Sequence, residues 1–217
     1  MDTKIYDAIV IVTPADFKRV ECNNQRIVKY LPVRKVLFVG SEELKELVRQ
    51  SNLGDKAGFV NENDLIPFED VYNCMKDVMA DILLGRELPR GLVGWYYQQF
   101  LKMKYSALCD DEYYMSWDGD TVPCKDFSMF DSERRPYFDM KHEYHEEYFI
   151  TMETIMPSVK KLIDKSFISE HMIFNSRYMK EMIEAIESNE NIKGTTFWEK
   201  ILNSIRLEHI QENSFSE

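Results

Sequence analysis

Short apolar runs alternate with amphipathic segments along most of the chain. Uninterrupted runs rich in β-branched residues, such as DAIVIVTP and KVLFVGS, are typical of strands buried in a parallel sheet. The predicted strands cover residues 7–14, 35–41, 57–65, 112–117 and 166–175. AGFVNENDL (57–65) is the weakest of them, because it ends in polar residues.

Segments with apolar residues at helical spacing lie between these runs. The predicted helices cover residues 42–52, 68–84, 95–109, 176–190 and 195–205. GRELPRG (85–91), with its two glycines and a proline, is expected to separate the second helix from the third. Ser176 is expected to cap the helix that it begins. Residues 125–149 are crowded with aromatic and charged residues and have no clean periodicity.

Strands that alternate with helices indicate βαβ units around a mostly parallel sheet. With 217 residues and 44% hydrophobic residues, the chain can bury a single large core. The sequence contains no internal repeat and no low-complexity linker. We therefore predict one α/β domain over residues 1–217, with helices flanking a Rossmann-type sheet.

Net charge and hydropathy argue against several classes of function. The formal net charge of −11 argues against a nucleic-acid partner, because a phosphate backbone calls for a basic surface. No run approaches the roughly eighteen apolar residues of a membrane span, and MDTKIYDAIVIV lacks the basic segment and cleavage site of a signal peptide. The four cysteines are widely spaced and form no CxxC, which favours free thiols in a reduced, cytoplasmic protein over a zinc site.

Polar residues at the strand ends are the first candidates for chemistry. Ligands of parallel sheets bind at the carboxyl ends of the strands. TPADF follows the first predicted strand, GS the second and WDGD the fourth. Because these strands are predicted to run in parallel, we expect all three ends at one edge of the sheet.

Asp118-Gly119-Asp120 has two interpretations. In an extended segment both carboxylates point to the same side, and hard cations such as Mg²⁺ and Mn²⁺ prefer carboxylate oxygens. The glycine between them permits a tight turn and the close approach of a ligand. Asp-Gly is equally a common signal of a type I′ or type II turn at a strand end. The tripeptide alone leaves the cation site and the plain turn open.

LPRGLVGWYYQQFLKM (88–103) is the second candidate. Arg90 is expected in a glycine-rich loop before a helix that carries Lys102, and helix N-termini bind anions. Gln98 and Gln99 would need partners on a core-facing side, and sugar hydroxyls would supply them. In the alternative interpretation the apolar residues of this segment belong to the hydrophobic core, and the two glutamines lie at the edge of that core. These apolar residues are Trp95, Tyr96, Phe100, Leu101 and Met103.

Ionisable groups also occur in the second half. Glu170 and His171 interrupt the predicted strand SFISEHMIFN and face opposite sides of it, so either is a candidate general base or a structural group. HEYHEEY (142–148) places His142 and His145 three residues apart, a spacing that two zinc ligands on one helix face use. A solvated charged face is the alternative for that segment.

Four motifs in order, TPADF, GWYYQQFLKM, WDGDTVP and SFISEHMIFN, carry a family resemblance. From about residue 7 to its end, the chain resembles bacterial GT-A-type glycosyltransferases of capsule and surface-polysaccharide gene clusters. The resemblance implies a GT-A-like fold with a nucleotide-sugar and metal-binding half over residues 1–124 and an acceptor-side half over 125–217. It also implies a nucleotide-diphosphate sugar donor, most often a UDP-sugar, and Mn²⁺ or Mg²⁺.

The resemblance also assigns roles to individual residues. Asp118 and Asp120 match the DxD pair that contacts the metal. By the same resemblance, Asp118 would also contact the nucleotide-sugar donor. The donor-binding residues that it implies are Thr13, Pro14, Asp16, Arg90, Trp95, Gln98, Gln99 and Lys102. Glu170 or His171 would act as the base on the acceptor side. The acceptor would be a glycan or a lipid-linked glycan, and a lipid-linked one calls for peripheral contact with the inner face of the membrane. Met and aromatic residues in 127–149 are candidates for that contact; the alternative is that they pack in the core or in an acceptor loop.

One departure and two rival functions accompany this expectation. Family members continue beyond the NSFSE segment, so a metal-binding histidine supplied by such a tail is expected to be missing, and His209 is the histidine nearest the end. A metal-dependent nucleotidyltransferase would carry a glycine-rich basic loop after the first strand, where this chain has TPADFKRV. A non-catalytic carbohydrate-binding protein with a degenerate site is the second rival.

Overall fold

A five-stranded sheet with the order β3-β2-β1-β4-β5 forms the centre of the computed structural model, which describes residues 6–216. The strands are β1 (Ala8–Ile11), β2 (Val36–Gly40), β3 (Ala57–Asn61), β4 (Tyr113–Trp117) and β5 (His171–Asn175). β1 to β4 run parallel, and β5 pairs antiparallel with β4. The predicted α/β domain with a mostly parallel sheet is confirmed.

Helices cover both faces of this sheet. They are α1 (Pro14–Arg19), α2 (Glu21–Tyr30), α3 (Glu42–Gln50), α4 (Glu62–Leu65), α5 (Phe68–Val78), α6 (Ala80–Leu83), α7 (Arg90–Lys104), α8 (Glu146–Ile155), α9 (Ser176–Glu187) and α10 (Phe197–Ser204), with 3-10 helices at Tyr105–Ala107 and Leu207–Glu212. Successive strand residues point to opposite faces. Ile9 therefore packs in a core with α5, α7, α9 and α10, and Val10 in a second core with α1, α2 and α3.

The central helix α7 begins at Arg90, five residues before the predicted start, and Pro89 is its N-cap. Arg90 is thus the first helical residue and does not lie in a loop. Gly91 and Gly94 are inside the helix, where each glycine costs up to about 1 kcal/mol relative to alanine. Burial of one apolar face, in which Tyr96 and Phe100 are fully buried, outweighs that cost.

A close approach at Gly40 sets the position of α3. A Cβ at this residue would lie 2.7 Å from the carbonyl oxygen of Val12 and 2.7 Å from Leu44 Cδ2. A side chain at this position would clash with both, so glycine lets α3 start directly at the end of β2, next to the backbone that follows β1.

Local capping explains several differences from the predicted elements. The side chain of Asn61 accepts a hydrogen bond from the Asn63 N–H, so α4 replaces the second half of the predicted 57–65 strand. The side chain of Asn175, and not of Ser176, caps α9. The predicted helix over 68–84 is divided at Met79 into α5 and α6.

The second half of the chain differs most from its prediction. β5 begins at His171, and Ser166 forms only an isolated bridge with Lys141. Helices α1, α2 and α8 were not predicted. His145 is the N-cap of α8 and His142 lies before the helix, so the two histidines do not share a helix face. Both are exposed, which agrees with the alternative of a solvated charged face. Along residues 6–216 no helix has the length and apolar character needed to cross a membrane.

Candidate functional site

A cleft of about 840 Å³ opens at the carboxyl ends of β1 and β4. β1, β2 and β3 succeed one another in one direction across the sheet, and β4 lies on the other side of β1, so the strand order reverses between β1 and β4. Open α/β sheets bind ligands at such a reversal. The side chains that carry chemistry in its lining are Thr13, Asp16, Arg19, Glu62, Asn63, Glu69, Arg90, Trp95, Gln98, Asp118 and Asp120.

The Asp118-Gly119-Asp120 segment is both a turn and part of this cleft. The Thr121 N–H donates a hydrogen bond to the Asp118 carbonyl oxygen over 3.0 Å. Neither Gly119 nor Asp120 has a positive φ, which excludes the type I′ and type II turns that the sequence suggested. Both aspartates line the cleft, so the turn interpretation does not remove them from the site.

Three side chains hold the segment that follows β4. The Asn23 amide donates to the carbonyl oxygens of Gly119 (2.7 Å) and Thr121 (3.1 Å). Trp117 Nε1 donates to the same Thr121 oxygen over 2.9 Å, and Arg26 Nε donates to the Pro123 oxygen over 3.1 Å. The bonds from Asn23 and Arg26 tie this backbone to α2, and the bond from Trp117 ties it to the end of β4.

Asn23 and Arg26 were absent from the predicted site. They lie on α2, a helix that was itself not predicted, and an asparagine in a polar segment gives no signal that its amide will be buried against a distant turn.

Lys102 forms an ion pair with Asp118 beneath the cleft. Its ammonium lies 3.3 Å from Asp118 Oδ1, and the lysine is only 6% exposed, whereas the Asp118 side chain is 31% exposed. Lys102 is therefore next to the site without lining it. A buried positive charge adjacent to Asp118 holds that carboxylate in a defined place.

Thr13 and Asp16 form the wall at the end of β1. Thr13 Oγ1 donates to Asp16 Oδ2 over 2.7 Å and accepts from the Asp16 N–H, which caps α1. Arg19 donates to Asp16 Oδ1 over 2.8 Å. The hydrogen bond from Thr13 and then that from Arg19 hold the pKa of Asp16 below its usual value. Pro14, the first residue of α1, is not in the lining.

The first turns of α7 form the opposite wall. Arg90 lies 4.4 Å above the Phe68 ring and 3.3 Å from Glu69 Oε1. A Cβ at Gly91 or Gly94 would meet no atom within 4 Å, so the two glycines leave open space above the helix backbone. That space lets a ligand approach the first turn of α7, where the Leu92 and Val93 N–H groups donate to the Pro89 carbonyl oxygen.

The two glutamines of α7 separate. Gln98 lines the cleft, whereas Gln99 is buried and its amide donates to the Trp95 carbonyl oxygen over 3.4 Å. Trp95 also lines the cleft, and its Nε1 donates to the Phe215 carbonyl oxygen over 3.2 Å. Tyr96 is fully buried, as the core interpretation of this helix predicted.

Glu170 and His171 lie beside the cleft and do not line it. The Glu170 carbonyl oxygen accepts from the Asp118 N–H over 2.9 Å, while both carboxylate oxygens lie 3.0 Å from the Lys141 ammonium. A backbone hydrogen bond and then that from Lys141 hold the pKa of Glu170 below its usual value. The His171 ring lies 4.9 Å from the Trp117 ring, and its Nε2 is 3.7 Å from Asp139.

The charges of the residues that line the cleft are suited to a metal cation bound together with an anionic ligand. Five carboxylates and two guanidinium groups face the cleft, which leaves an excess of three negative charges. Within residues 6–216 no group of three or more His, Cys, Asp or Glu side chains could hold a metal alone. Mg²⁺ is usually bound by one or two carboxylates together with substrate phosphates and water, and the Asp118 and Asp120 oxygens fit that donor set.

Four cleft residues follow β3 and were not predicted: Glu62, Asn63, Phe68 and Glu69. The rule that ligands bind at strand ends also applies to this strand, and its polar ending NEND was the available signal. Arg19 was also missed, although its position three residues after Asp16 on a helix indicates an ion pair.

Comparison with known proteins identifies a family whose function is unknown. The model of a family of unknown function, DUF6492, matches residues 8–217, and the chain belongs to this family. No curated protein matches the chain.

Proposed function

We propose that this DUF6492 protein is a glycosyltransferase that uses a nucleotide-diphosphate sugar, such as a UDP-sugar, with Mg²⁺ or Mn²⁺. The observation that carries the proposal is the position of Asp118 and Asp120 in a cleft at the reversal of strand order. In Rossmann-type sheets this is where nucleotides bind. The resemblance of WDGDTVP to a DxD motif supports the same assignment.

The two sides of the cleft would divide the donor between them. Thr13 and Asp16 line the end of β1, where a nucleoside would lie, and the α7 wall would face the diphosphate and sugar. Arg90 supplies positive charge at the start of α7, and Gln98 offers an amide to sugar hydroxyls. The open space above Gly91 and Gly94 gives the phosphates access to the helix backbone.

Charge balance explains why a cation is part of the proposal. A diphosphate entering a cleft with an excess of negative charge is repelled unless a cation accompanies it. A bound Mg²⁺ or Mn²⁺ would supply Lewis-acid stabilisation of the departing diphosphate. Asp118 and Asp120 would hold the ion, and Lys102 would keep Asp118 in position through its ion pair.

In the transfer step the acceptor hydroxyl oxygen forms a bond to the anomeric carbon, and the bond from that carbon to the diphosphate oxygen breaks. Arg90 adds positive charge near the leaving group. If the configuration inverts, the acceptor proton needs a base. Glu170 and His171, which flank the Asp118 turn on the β5 side, are the candidates for that role.

Calorimetry with UDP and Mn²⁺ tests the site. Asp118→Asn and Asp120→Asn are each expected to weaken metal-dependent UDP binding by about tenfold or more, as changes around a metal do. Asp126→Asn is the matched control, because Asp126 is exposed and lies outside the cleft lining. Unchanged binding in both cleft variants, or an equal loss in the control, would show that the assignment is wrong.

Turnover distinguishes the rival functions. Release of UDP from a UDP-sugar, and its increase with a glycan acceptor, is expected of a glycosyltransferase. A nucleotidyltransferase would instead release pyrophosphate from a nucleoside triphosphate and a sugar phosphate. A carbohydrate-binding protein would give neither product and no metal-dependent heat with UDP.

A further inference from the structure

Glu62 is a half-buried carboxylate of the cleft without a protein partner. Among the other carboxylates of the lining, Asp16, Glu69 and Asp118 form ion pairs with basic residues. No group in the described part of the chain donates a hydrogen bond to the Glu62 carboxylate, and burial raises its pKa. A carboxylate that is partly withdrawn from water is stabilised by a hydrogen-bond donor. Glu62 is therefore suited to accept from a donor that a ligand brings into the cleft.

The neighbouring Asn63 presents an amide whose orientation is determined by the fold. Its Oδ1 accepts a hydrogen bond from the Phe68 N–H over 3.0 Å. Because a backbone N–H only donates, the carbonyl oxygen of the amide faces Phe68 and the NH2 group points away from it. Asn63 lines the cleft, and within the described residues its NH2 group has no acceptor. Asn63 therefore offers a fixed hydrogen-bond donor to a ligand.

Aromatic rings form the wall beside these two residues. Phe68 and Tyr97 both line the cleft, and their ring centroids are 5.1 Å apart with the planes at 90°. Burial and then the charge of Glu62 raise the pKa of Tyr97, so the carboxylate lies within electrostatic reach of this wall. We call Glu62, Asn63, Phe68 and Tyr97 the β3 subsite, because Glu62 directly follows β3. An acceptor, a donor and an aromatic wall together suit a flat polar ring such as a nucleobase.

The position of the β3 subsite matches the base end of the proposed donor. Two strands separate β3 from β4 in the sheet, which places the carboxyl ends of β3 and β4 about 14 Å apart. Asp118 and Asp120 at the end of β4 would hold the cation and the diphosphate, to which the sugar is attached. In an extended nucleotide the base is farthest from the phosphates, so the base is the part of the donor that reaches the end of β3.

We propose that Glu62 and Asn63 hold the hydrogen-bonding edge of a uracil base and make the protein selective for uridine over cytidine nucleotides. The uracil N3–H donates to the Glu62 carboxylate, and the neighbouring O4 accepts from the Asn63 NH2 group. Cytosine carries a lone pair at N3, which would face the carboxylate, and an amino group at C4, which would face the amide donor. The choice of uracil rests on the proposed function, because it takes a uridine diphosphate sugar as the donor.

Calorimetry in the presence of Mn²⁺ tests the proposal with UDP, CDP and inorganic pyrophosphate, which has no base. Each of the two hydrogen bonds is worth about tenfold in affinity. The wild type is therefore expected to bind UDP about a hundredfold more tightly than pyrophosphate and at least about tenfold more tightly than CDP.

Glu62→Gln and Asn63→Asp are each expected to lower the ratio of UDP affinity to pyrophosphate affinity by about tenfold. The aspartate keeps an acceptor for the Phe68 N–H, and the comparison with pyrophosphate removes the effect of its added charge on the phosphates. Glu62→Gln should leave the Tm of the free protein unchanged or raise it, because it removes an unpaired half-buried charge. A purely structural role for Glu62 would lower that Tm.

Asn52→Asp is the matched control, because Asn52 is exposed and lies outside the cleft lining. It should leave all three affinities unchanged, whereas Asp120→Asn should weaken the three probes alike. CDP binding as tight as UDP binding, or an affinity ratio of UDP to pyrophosphate that either subsite variant leaves unchanged, would overturn the proposal. The glycosyltransferase proposal survives that result as long as UDP binding depends on Mn²⁺. Absence of Mn²⁺-dependent UDP binding in the wild type would overturn both.

Discussion

At the scale of single residues, Asp118 and Asp120 differ in what their charge does for the fold. Asp118 is paired with the buried Lys102 over 3.3 Å, whereas Asp120 is exposed. Asp118→Asn removes a carboxylate charge beside a buried ammonium and is expected to lower the free energy of unfolding by about 1–3 kcal/mol. Asp120→Asn should change it by less than about 0.5 kcal/mol. Urea unfolding of both variants measures the difference.

Combining Asp118→Asn with Lys102→Met extends this measurement into a double-mutant cycle. We expect the double variant to be more stable than the sum of the two single changes implies, because the buried charge leaves together with its partner. Strict additivity would show that the ion pair contributes nothing. Loss of UDP binding in the stable Asp120→Asn variant then reports on the ligand and not on folding.

The four cysteines should divide by reactivity. Cys22 and Cys124 are exposed, and Cys109 is buried. Burial, followed by the charges of Glu199 and Asp77, raises the pKa of Cys74 to about 11, so at pH 8 only roughly one thiol in a thousand is thiolate there. Titration of the native protein with a thiol reagent is expected to show two fast thiols and two slow ones. A Cys22→Ser and Cys124→Ser double variant should lose the fast phase, and four fast thiols would contradict the structure.

At the scale of elements, the end of β4 depends on α2. Asn23→Asp keeps the shape of the side chain but replaces the amide that donates to the carbonyl oxygens of Gly119 and Thr121 by a carboxylate that only accepts. Each lost hydrogen bond is worth about 1 kcal/mol, and two of them correspond to about thirtyfold in an equilibrium constant. We therefore expect UDP and Mn²⁺ binding to weaken by about fivefold to thirtyfold. Asn191→Asp, at an exposed asparagine, is the control. Binding equal to that of the control would show that Asn23 does not position the aspartates.

Apolar periodicity predicted the five strands and most of the large helices, because burial in the sheet or against it determines those positions. It failed where capping or packing decides. Helix α7 passes through Gly91 and Gly94, whose low helix propensity suggested a loop, because its apolar face is fully buried. The Asn61 side chain turns the end of the third predicted strand into α4. Such side-chain to backbone bonds act over two or three residues and leave the hydrophobic pattern unchanged.

At the scale of the whole molecule, the parallel sheet explains which site residues could be predicted from the sequence. Thr13, Asp16 and the two aspartates follow strands that end at one edge, so their assembly in a cleft was predictable. The order of the strands was not, because it depends on where each crossover packs. Glu170 and His171 were expected inside a strand facing a site, but β5 begins only at His171 and runs antiparallel. Its start therefore lies next to the cleft, on the Trp117 side of β4.

The charge of the cleft predicts that UDP and the cation stabilise the protein together and hardly at all separately. UDP alone meets an excess of negative charge, and Mn²⁺ alone meets a lining without a complete set of protein ligands in the described residues. A ligand at a hundredfold excess over its Kd stabilises the native state by about 2.7 kcal/mol. For a chain of this length that corresponds to a rise in Tm of about 5–10 °C.

Thermal unfolding with UDP, with Mn²⁺, with both, and with both plus a chelator measures this rise. Equal shifts with UDP in the presence and absence of Mn²⁺ would contradict a cation-assisted site. Asp120→Asn should reduce the joint shift to about half or less, as a tenfold or greater loss of affinity requires, and leave the Tm of the free protein unchanged.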